Sequence, residues 1–370
     1  MAGKQRSLKE AKAEKAAKKR RARRRKRAIF LLVELMILAI LLGIGYVMMK
    51  YGKMQLNFFE EGEITVNEGV AQEGYTTIAL FGGDSREGQL EEGAHADTII
   101  LAAIDNKTKE VRLVSVYRDT LMRQASGELA KANYAYFDGG PQDAINMLNR
   151  NLDLDIQHYA TVDFKALADV IDLLGGIEID VTDAEAEAIN LYIGETAEVA
   201  GKEAVFVSGG LQNLDGVQAV TYARIRKNVG EDYARTERQR LVIQKVAEKA
   251  QRADLKTLNQ IIDQVAEQVS TSFSLGELMK LAAGATQYKL GENKGFPFEL
   301  TDDIVEGLGS VVIPLGLAEN VQELHAFLYP KDSYQASQTV LDIAEQIAAV
   351  TGYTRADYEG AADTNTDEDS

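Results

Sequence analysis

The chain has 370 residues, a formal net charge of −16, three histidines, and neither cysteine nor tryptophan. The absence of cysteine excludes disulfides and thiolate-bound metals, and His95, His158 and His325 follow no zinc-binding spacing. No Walker A loop and no G-x-S-x-G nucleophile elbow occurs, so carboxylates and arginines remain as the candidate chemical groups.

The first predicted elements are a basic segment and an apolar one. Residues 4–27 carry fourteen Lys or Arg and two Glu, and residues 28–49 contain Glu34 as their single charge. As a helix the apolar segment would be about 33 Å long, enough to cross a bilayer, and no small-residue cleavage site follows it. We therefore predict a cytoplasmic tail over residues 1–27, a single transmembrane helix over residues 28–49, and an extracellular remainder.

Beyond the predicted membrane segment the charge reverses. Residues 50–370 hold 27 Lys and Arg against 54 Asp and Glu, a net charge of −27. Such a surface repels nucleic acid, and an anionic ligand would need a local basic pocket. The basic tail is interpreted as a topology signal, with a nucleic-acid-binding arm as the alternative.

The extracellular part is predicted to comprise a polar spacer over residues 50–73, a folded domain over residues 74–353 and a disordered acidic tail over residues 354–370. Strands are predicted at 75–83, 97–104, 110–117, 158–164, 177–181 and 310–314. Helices are predicted at 141–152, 165–174, 215–223, 233–250, 254–269, 275–284 and 334–350. The first three strands are apolar on both faces, which indicates interior strands in a layered α/β domain.

Two carboxylates stand at strand boundaries. Asp84 follows the first strand in the Gly-rich turn LFGGDSREG, and Asp97 begins the next strand in HADTII. If those strands are neighbours, both carboxylates meet at one edge of the sheet, and hard oxygen ligands of this kind suit Mg²⁺. The alternative is that Asp84 caps a turn and Asp97 caps a strand.

Arginines cluster in the second half of the domain. Arg224 and Arg226 would share a face if YARIRK is extended. Arg235, Arg238 and Gln239 share a helix face that continues into apolar residues, which indicates that it points inward. Cations in a first helical turn oppose the helix dipole, and a bound phosphate would resolve the conflict. The alternative is a solvated face balanced by neighbouring acidic residues.

These residues lie in a series of motifs that resembles the LytR–CpsA–Psr family. The resemblance rests on LFGGDSREG, HADTIILAAIDNKTKEVRLVSVYRDTLM, KANYAYFDGGPQDAINMLNRNLDLDIQHYATVDFKALADVIDLLGGIEIDV and LDGVQAVTYARIRKNVGEDYARTERQR, in this order over residues 75–250. Several ordered motifs are far more specific than any one alone. A tail, a single anchor and an extracellular domain also fit the family layout.

The resemblance implies a three-layer α/β/α domain around a central mixed sheet, with an apolar channel for a lipid tail. It implies a Mg²⁺-dependent enzyme (or one using Mn²⁺) that transfers a glycopolymer such as teichoic acid or capsule from a polyprenyl-pyrophosphate carrier to peptidoglycan. The implied metal ligands are Asp84 and Asp97, and Arg118, Asp119 and Asp97 are the candidate catalytic residues. The implied pyrophosphate-binding set is Arg118, Asn133, Arg224, Arg226, Arg235, Arg238 and Gln239.

The sequence departs from the family at Tyr117, where proline often precedes the Arg-Asp pair. Tyrosine restores an N–H group that proline lacks, so strand pairing can extend by one residue. It also places an aromatic ring beside Arg118.

Three functions are alternatives to glycopolymer transfer. The same site with water as acceptor would make a polyprenyl-pyrophosphate phosphatase. A site without turnover would make a lipid-binding scaffold of wall synthesis. A transcription regulator is disfavoured because the extracellular part is acidic and the chain carries a predicted anchor.

Overall fold

A computed structural model describes residues 43, 45–83, 90, 96–226, 229 and 232–357. Residues 45–51 are helical. The structure does not describe the predicted tail 1–27, most of the predicted helix 28–49, the predicted metal ligand Asp84 or most of the predicted acidic tail 354–370.

Among the residues that the structure describes, no helix is both long enough and apolar enough to span a bilayer.

The described chain from residue 53 onward contains thirteen strands and nine α-helices. The strands are β1 Gln55–Leu56, β2 Tyr75–Gly83, β3 Ala96–Asp105, β4 Glu110–Val116, β5 Leu121–Arg123, β6 Leu129–Lys131, β7 His158–Asp163, β8 Ile177–Val181, β9 Gly210–Leu214, β10 Val269–Thr271, β11 Lys289–Phe296, β12 Leu300–Val305 and β13 Gly309–Pro314. The helices are α1 Ala132–Leu152, α2 Phe164–Leu173, α3 Asp183–Ala200, α4 Gly216–Arg224, α5 Asp232–Ala250, α6 Leu255–Val265, α7 Leu275–Gly284, α8 Leu317–Leu328 and α9 Gln338–Thr351.

Seven strands form one mixed sheet in the order β1-β10-β7-β2-β3-β4-β11. Strands β2, β3 and β4 are consecutive antiparallel neighbours, whereas β7 and β11 join them in parallel. The antiparallel register opposes Gly83 to Ala96, so the end of β2 lies beside the start of β3. These two strands are therefore neighbours, which is the condition under which Asp84 and Asp97 would meet at one edge of the sheet.

Alternation along the central strands divides their side chains between two layers. Phe81, Ile99 and Leu101 face a core with α1, α8 and α9, while Ile100 and Leu113 face a second cluster that includes residues of α5 and α7. Helices thus cover both faces, because each face is apolar and must be buried. The three-layer α/β/α fold around a mixed sheet is confirmed.

A third apolar cluster lies outside these two faces. It joins α2, α3, α4 and the antiparallel pair β8–β9 with Val242 of α5. Capping boxes at Thr182–Glu185 and Asp215–Gln218 fix the starts of α3 and α4, since each side chain satisfies a backbone N–H of the other residue. Helix α3 escaped prediction because apolar residues such as Leu191 and Val199 also lie on its exposed side, which weakens the helical periodicity.

The prediction that residues 50–73 form a spacer needs correction. Within residues 50–73, β1 pairs with β10, and the ring centroid of Phe59 lies 5.7 Å from that of Tyr159. Thr65 N donates to Asn146 Oδ1 at 2.8 Å. Residues 55–73 are therefore part of the folded body, because polar side chains at intervals in this segment bond to distant backbone and amide groups.

Helix α1 contains a break at its Gly-Gly pair. Gly139 and Gly140 have non-helical backbone angles, and Gly140 lies at φ 66° and ψ −158°, a region open essentially to glycine alone. Pro141 then begins the second, buried segment, where its missing N–H costs nothing. The predicted helix start at Pro141 is confirmed for this segment, and a first segment precedes it.

Candidate active site

The loop of residues 117–120 follows β4 and carries the Arg118–Asp119 pair. Three elements hold its backbone: Tyr117 N donates to Phe296 O of β11 at 3.0 Å, Asn133 N of α1 donates to Arg118 O at 3.0 Å, and Val312 N of β13 donates to Asp119 O at 2.9 Å. Backbone bonds on three sides fix the position of the charged side chains. The charged residues Arg118 and Asp119, which follow β4 directly, therefore lie on a loop whose backbone is fixed by hydrogen bonds.

The side chains of this loop form a compact group of alternating charge. Arg118 Nη1 donates to Asp97 Oδ1 at 2.5 Å, and Arg118 Nε lies 3.4 Å from Asp119 Oδ2. Asp119 Oδ1 also contacts Lys131 Nζ at 3.0 Å. The side chains of Arg118, Asp97 and Asp119 are 20%, 26% and 18% exposed, so each remains within reach of a ligand. The structure thus brings together the three predicted catalytic residues.

Of the two predicted metal ligands, only Asp97 lies within the described residues. Its carboxylate is a hard oxygen donor at the start of β3, beside the end of β2, and its chemistry fits Mg²⁺. No group of three or more His, Cys, Asp or Glu that could hold a metal occurs within the described ranges. Mg²⁺ often takes only one or two carboxylates together with phosphate and water, so one described donor is compatible with it.

Arg224 and Arg226 line one cavity of about 240 Å³ together with Tyr192 and Glu195. Arg224 ends α4 and Ile225 has extended backbone angles, so the condition of a fully extended YARIRK segment is not met. Ile225 N still donates to Thr221 O as in a helix, but Ile225 itself has extended backbone angles, so the helix ends at Arg224. The two arginines nevertheless reach the same cavity, and the Arg224 guanidinium lies 4.8 Å from the ring centroid of Phe164.

The predicted inward face of α5 is confirmed. Arg235, Arg238, Gln239 and Val242 are all buried, with exposed fractions of 2%, 4%, 6% and 0%. The buried Oε1 of Gln239 has no hydrogen-bond partner among the described residues. This oxygen accepts hydrogen bonds, so a phosphate ligand would have to be met by the Nε2 group of the same amide.

Arg238 is the most firmly held member of that face. Its Nη1 donates to Val229 O at 2.9 Å, its Nη2 donates to Ile225 O, and Nη1 lies 3.5 Å from Glu185 Oε1. Burial lowers the pKa of Arg238, and Glu185 acts in the opposite direction. These contacts hold the segment after α4, so they position Arg226, and the role of Arg238 as a substrate ligand stays a prediction.

Tyr117 performs the backbone function expected of it. Its N–H extends the pairing of β4 with β11 by one residue, which proline could not do. Its ring packs edge-on against Tyr233 of α5 with centroids 4.8 Å apart. A Cβ on Gly295 would stand 2.0 Å from Tyr117 Oη, so glycine at that position makes room for the ring.

These contacts connect the separate predicted groups. Tyr117 touches the first turn of α5, and Arg238 ties the same helix to the segment that carries Arg226. Sequence reasoning missed Lys131, the partner of Asp119, and Glu185, the partner of Arg238. Neither stood out, because a single charge in a polar run carries no positional signal. Asn133 lies half-buried where α1 meets the loop.

The fold and this site define a class: an α/β/α protein with an arginine and two carboxylates gathered at one end of a mixed sheet, and further arginines on α5 and at the end of α4. The family model of the LytR_cpsA_psr family matches residues 48–323, and the chain belongs to that family.

Two curated relatives and one solved structure illustrate the similarity. The chain is 27% identical over 219 residues to the polyisoprenyl-teichoic acid–peptidoglycan teichoic acid transferase TagV of Bacillus subtilis, covering 57% of this chain and 54% of the relative. It is 29% identical over 212 residues to TagU, a transferase of the same description from Enterococcus faecalis, covering 56% and 64%. The structure of protein gbs0355 from Streptococcus agalactiae matches with a TM-score of 0.60 and 23% identity, covering 74% of this chain and 94% of that one. The matched stretches thus span between half and two thirds of the curated relatives.

Proposed function

We propose that this protein transfers a glycopolymer, such as teichoic acid or capsule, from a polyprenyl-pyrophosphate carrier to peptidoglycan. The observation that carries the proposal is the cluster of Arg118, Asp97 and Asp119 on a rigid loop, within an extracellular part of net charge −27. Arg118 and Lys131 offset the two carboxylates, and Arg224, Arg226 and Arg235 add positive charge for a phosphate ligand within a surface that otherwise opposes anions. Membership of the family and the names of the two relatives support the same activity.

The reaction is a phosphoryl-centred displacement. An acceptor hydroxyl would attack the phosphorus next to the glycan, the new P–O bond would form there, and the bridging P–O bond would break to release polyprenyl phosphate. Arg118 would neutralise the charge that develops, with Arg224, Arg226, Arg235 and Gln239 holding the diphosphate and Arg238 and Asn133 at its margin. Asp97 or Asp119 would accept the hydroxyl proton, since both are carboxylates within the group.

A divalent cation would complete this site. Asp97, together with Asp84, would hold Mg²⁺ or Mn²⁺, which would polarise the phosphoryl oxygens when bound. Because Asp97 also bonds to Arg118, its two oxygens would serve the arginine and the metal at once. Removal of the metal by a chelator is expected to reduce transfer without unfolding the protein.

The proposed location follows from the predicted anchor. The chain would cross the cell membrane once over residues 28–49, with residues 1–27 in the cytoplasm and the catalytic domain outside. This arrangement places the domain beside both the lipid-linked donor and the peptidoglycan acceptor, and it leaves no role for nucleic acid.

The test is transfer of a lipid-linked glycan to peptidoglycan oligomers by the purified protein. Arg118→Ala is expected to reduce kcat by about 10²–10³-fold, as loss of a charge-stabilising donor does. Arg252→Ala, an exposed arginine beyond α5, is the matched control and should retain activity. Full transfer by both Arg118→Ala and Asp97→Ala would refute the assignment, and release of phosphate in place of transfer would favour the phosphatase.

A further inference from the structure

A second, open groove begins at Tyr117, next to the catalytic loop. It encloses about 480 Å³ between α5 and the end of β11. Its lining includes Tyr117, Tyr233, Arg240, Asn293, Phe298 and Glu323. The proposed chemistry assigns no role to this groove. The arginines that this chemistry uses are Arg118, Arg224, Arg226, Arg235 and Arg238.

The groove is anchored to the catalytic loop on both sides. Tyr117 and Arg118 are adjacent in the chain, and Tyr233 Oη donates to Asp302 Oδ2 of β12 at 2.6 Å. The partner strand β13 bonds to Asp119 O. The groove therefore begins one residue away from Arg118, at the end of β4.

The groove contains a buried cation with unused hydrogen-bonding capacity. Arg240 is 4% exposed, and its Nε donates to Asn293 Oδ1 at 2.9 Å. Its Nη1 is buried and has no hydrogen-bond partner in the part of the chain that the structure describes. A buried donor without a partner is costly, so an acceptor oxygen from a ligand would be favourable here.

The charges of the groove argue against a phosphate polymer. Glu237 and Glu323 line it together with Arg240 and Lys294, and Lys294 Nζ already lies 3.2 Å from Glu323. Two carboxylates would repel a polyanion, and the two cations leave the groove near neutrality. The ring surfaces of Tyr117, Tyr233 and Phe298 offer flat apolar contacts, while Asn293 is exposed and offers polar ones. This combination suits a neutral sugar chain whose amide carbonyl oxygens can meet the guanidinium.

We propose that this groove binds the acceptor, a strand of N-acetylated sugars, and that Arg240 recognises an acetamido oxygen. The inference rests on the proposed transfer reaction, since it assigns the second substrate of that reaction. Burial raises the pKa of Tyr117, which keeps its hydroxyl protonated as a donor to the sugar.

Direct binding tests the groove without catalysis. The full chain in detergent is titrated with the β-1,4-linked tetramer of N-acetylglucosamine and with cellotetraose, which is neutral and lacks the acetamido groups. Binding of the first and at least about tenfold weaker binding of the second is expected. Arg240→Met and Asn293→Ala should each weaken the binding of the N-acetylated tetramer, and Arg252→Ala should leave it unchanged. Equal affinity for both sugars, or unchanged affinity in Asn293→Ala and a folded Arg240→Met, would overturn the proposal.

Kinetics then separate this inference from the proposed function. In transfer to peptidoglycan oligomers, Arg240→Met and Asn293→Ala are expected to raise the acceptor KM by about tenfold or more, with the donor KM unchanged. A raised donor KM would assign the groove to the donor sugar and overturn the inference while leaving the transfer reaction intact. Sugar binding in the groove by a wild-type protein that transfers nothing would refute the proposed function and leave the groove as a glycan site.

Discussion

At the scale of the residue, position 117 decides how the loop of residues 117–120 is built. The Tyr117 N–H gives β11 one further bond, and its ring fills the space above Gly295 and reaches Tyr233. Proline would supply neither the bond nor the ring. The tyrosine thus couples the end of β4 to α5 as well as to its neighbouring strand.

The variant Tyr117→Pro is expected to lose about 2 kcal/mol or more of stability, from one backbone hydrogen bond and from the cavity left by the ring. Urea denaturation measures the change. Tyr117→Phe keeps the N–H and most of the ring contact, so it should remain close to wild type. A Tyr117→Pro protein as stable as wild type would show that the extra backbone bond contributes nothing.

At the scale of the element, the break in α1 depends on a glycine. Gly140 adopts backbone angles that a side chain makes costly, and it allows Pro141 to begin a buried segment at a new angle. At the N-terminal end of the same helix Asn133 N donates to Arg118 O, so the break sets how the first segment meets the loop of residues 117–120.

Gly140→Ala is therefore expected to destabilise the protein by about 1–3 kcal/mol. The control is Gly194→Ala in α3, where an added Cβ meets nothing within 4 Å and where alanine should stabilise the helix by up to about 1 kcal/mol. Thermal unfolding of the two variants should shift in opposite directions. A shift in the same direction for both would contradict the assigned role of the break.

The β3–β4 hairpin carries a pH-dependent contact at its turn. Asp105 Oδ1 accepts from Lys107 N and Thr108 N at 2.8 and 2.9 Å, and Asp105 Oδ2 pairs with Lys331 after α8. The bond from Lys331 comes first among the causes that hold the pKa of Asp105 well below its usual range. A lowered pKa in the folded state adds stability above the ordinary carboxyl pKa, and this contribution disappears as pH falls below it.

Lys331→Met is expected to lower the melting temperature at pH 7, and the difference from wild type should shrink as the pH falls through about 4 towards 2. Melting curves at pH 7, 5, 4 and 2.5 measure this. Asp105→Ala should lose more at pH 7, because it also removes two backbone bonds of the turn. A difference between Lys331→Met and wild type that stays constant over this range would rule out the ion pair as its source.

At the scale of the whole molecule, the folded body begins earlier than composition indicates. Residues 55–73 contribute a strand to the edge of the sheet and side-chain bonds to α1 and its C-terminal cap, including Asn67 Nδ2 to Asp153 Oδ1 at 2.6 Å. Asp153 also accepts from Tyr334 and Ser337, so this segment and the approach to α9 share one buried carboxylate.

A chain that starts at residue 74 is expected to be at least about 3 kcal/mol less stable than one that starts at residue 53, because several buried side chains lose their partners. Chemical denaturation of the two proteins measures the difference. The form that starts at residue 53 serves as the control, since it keeps every contact of the folded body described above. Equal stability would restore the interpretation of this segment as a spacer.

Much of this protein is determined by local sequence. Apolar strands such as 75–83 and 177–181 match their predicted bounds, because a buried strand flanked by turn residues leaves a clear pattern. The buried face of Arg235, Arg238 and Gln239 also follows from helical spacing. The family motifs include these residues together with Arg118. Such motifs are recognised by the order and spacing of their charged residues, which overall composition does not record.

Only the tertiary structure decides how those residues are used. Arg238 holds the backbone of Ile225 and Val229, and Asp97 meets Arg118 because β3 and β4 are antiparallel neighbours. Such contacts join residues far apart in the chain, and local periodicity carries no information about them. The sequence therefore identifies Arg118 as a candidate site residue. The groove beside Tyr117 is visible only in the structure, because its walls come from β11 and α5, which are far apart in the chain.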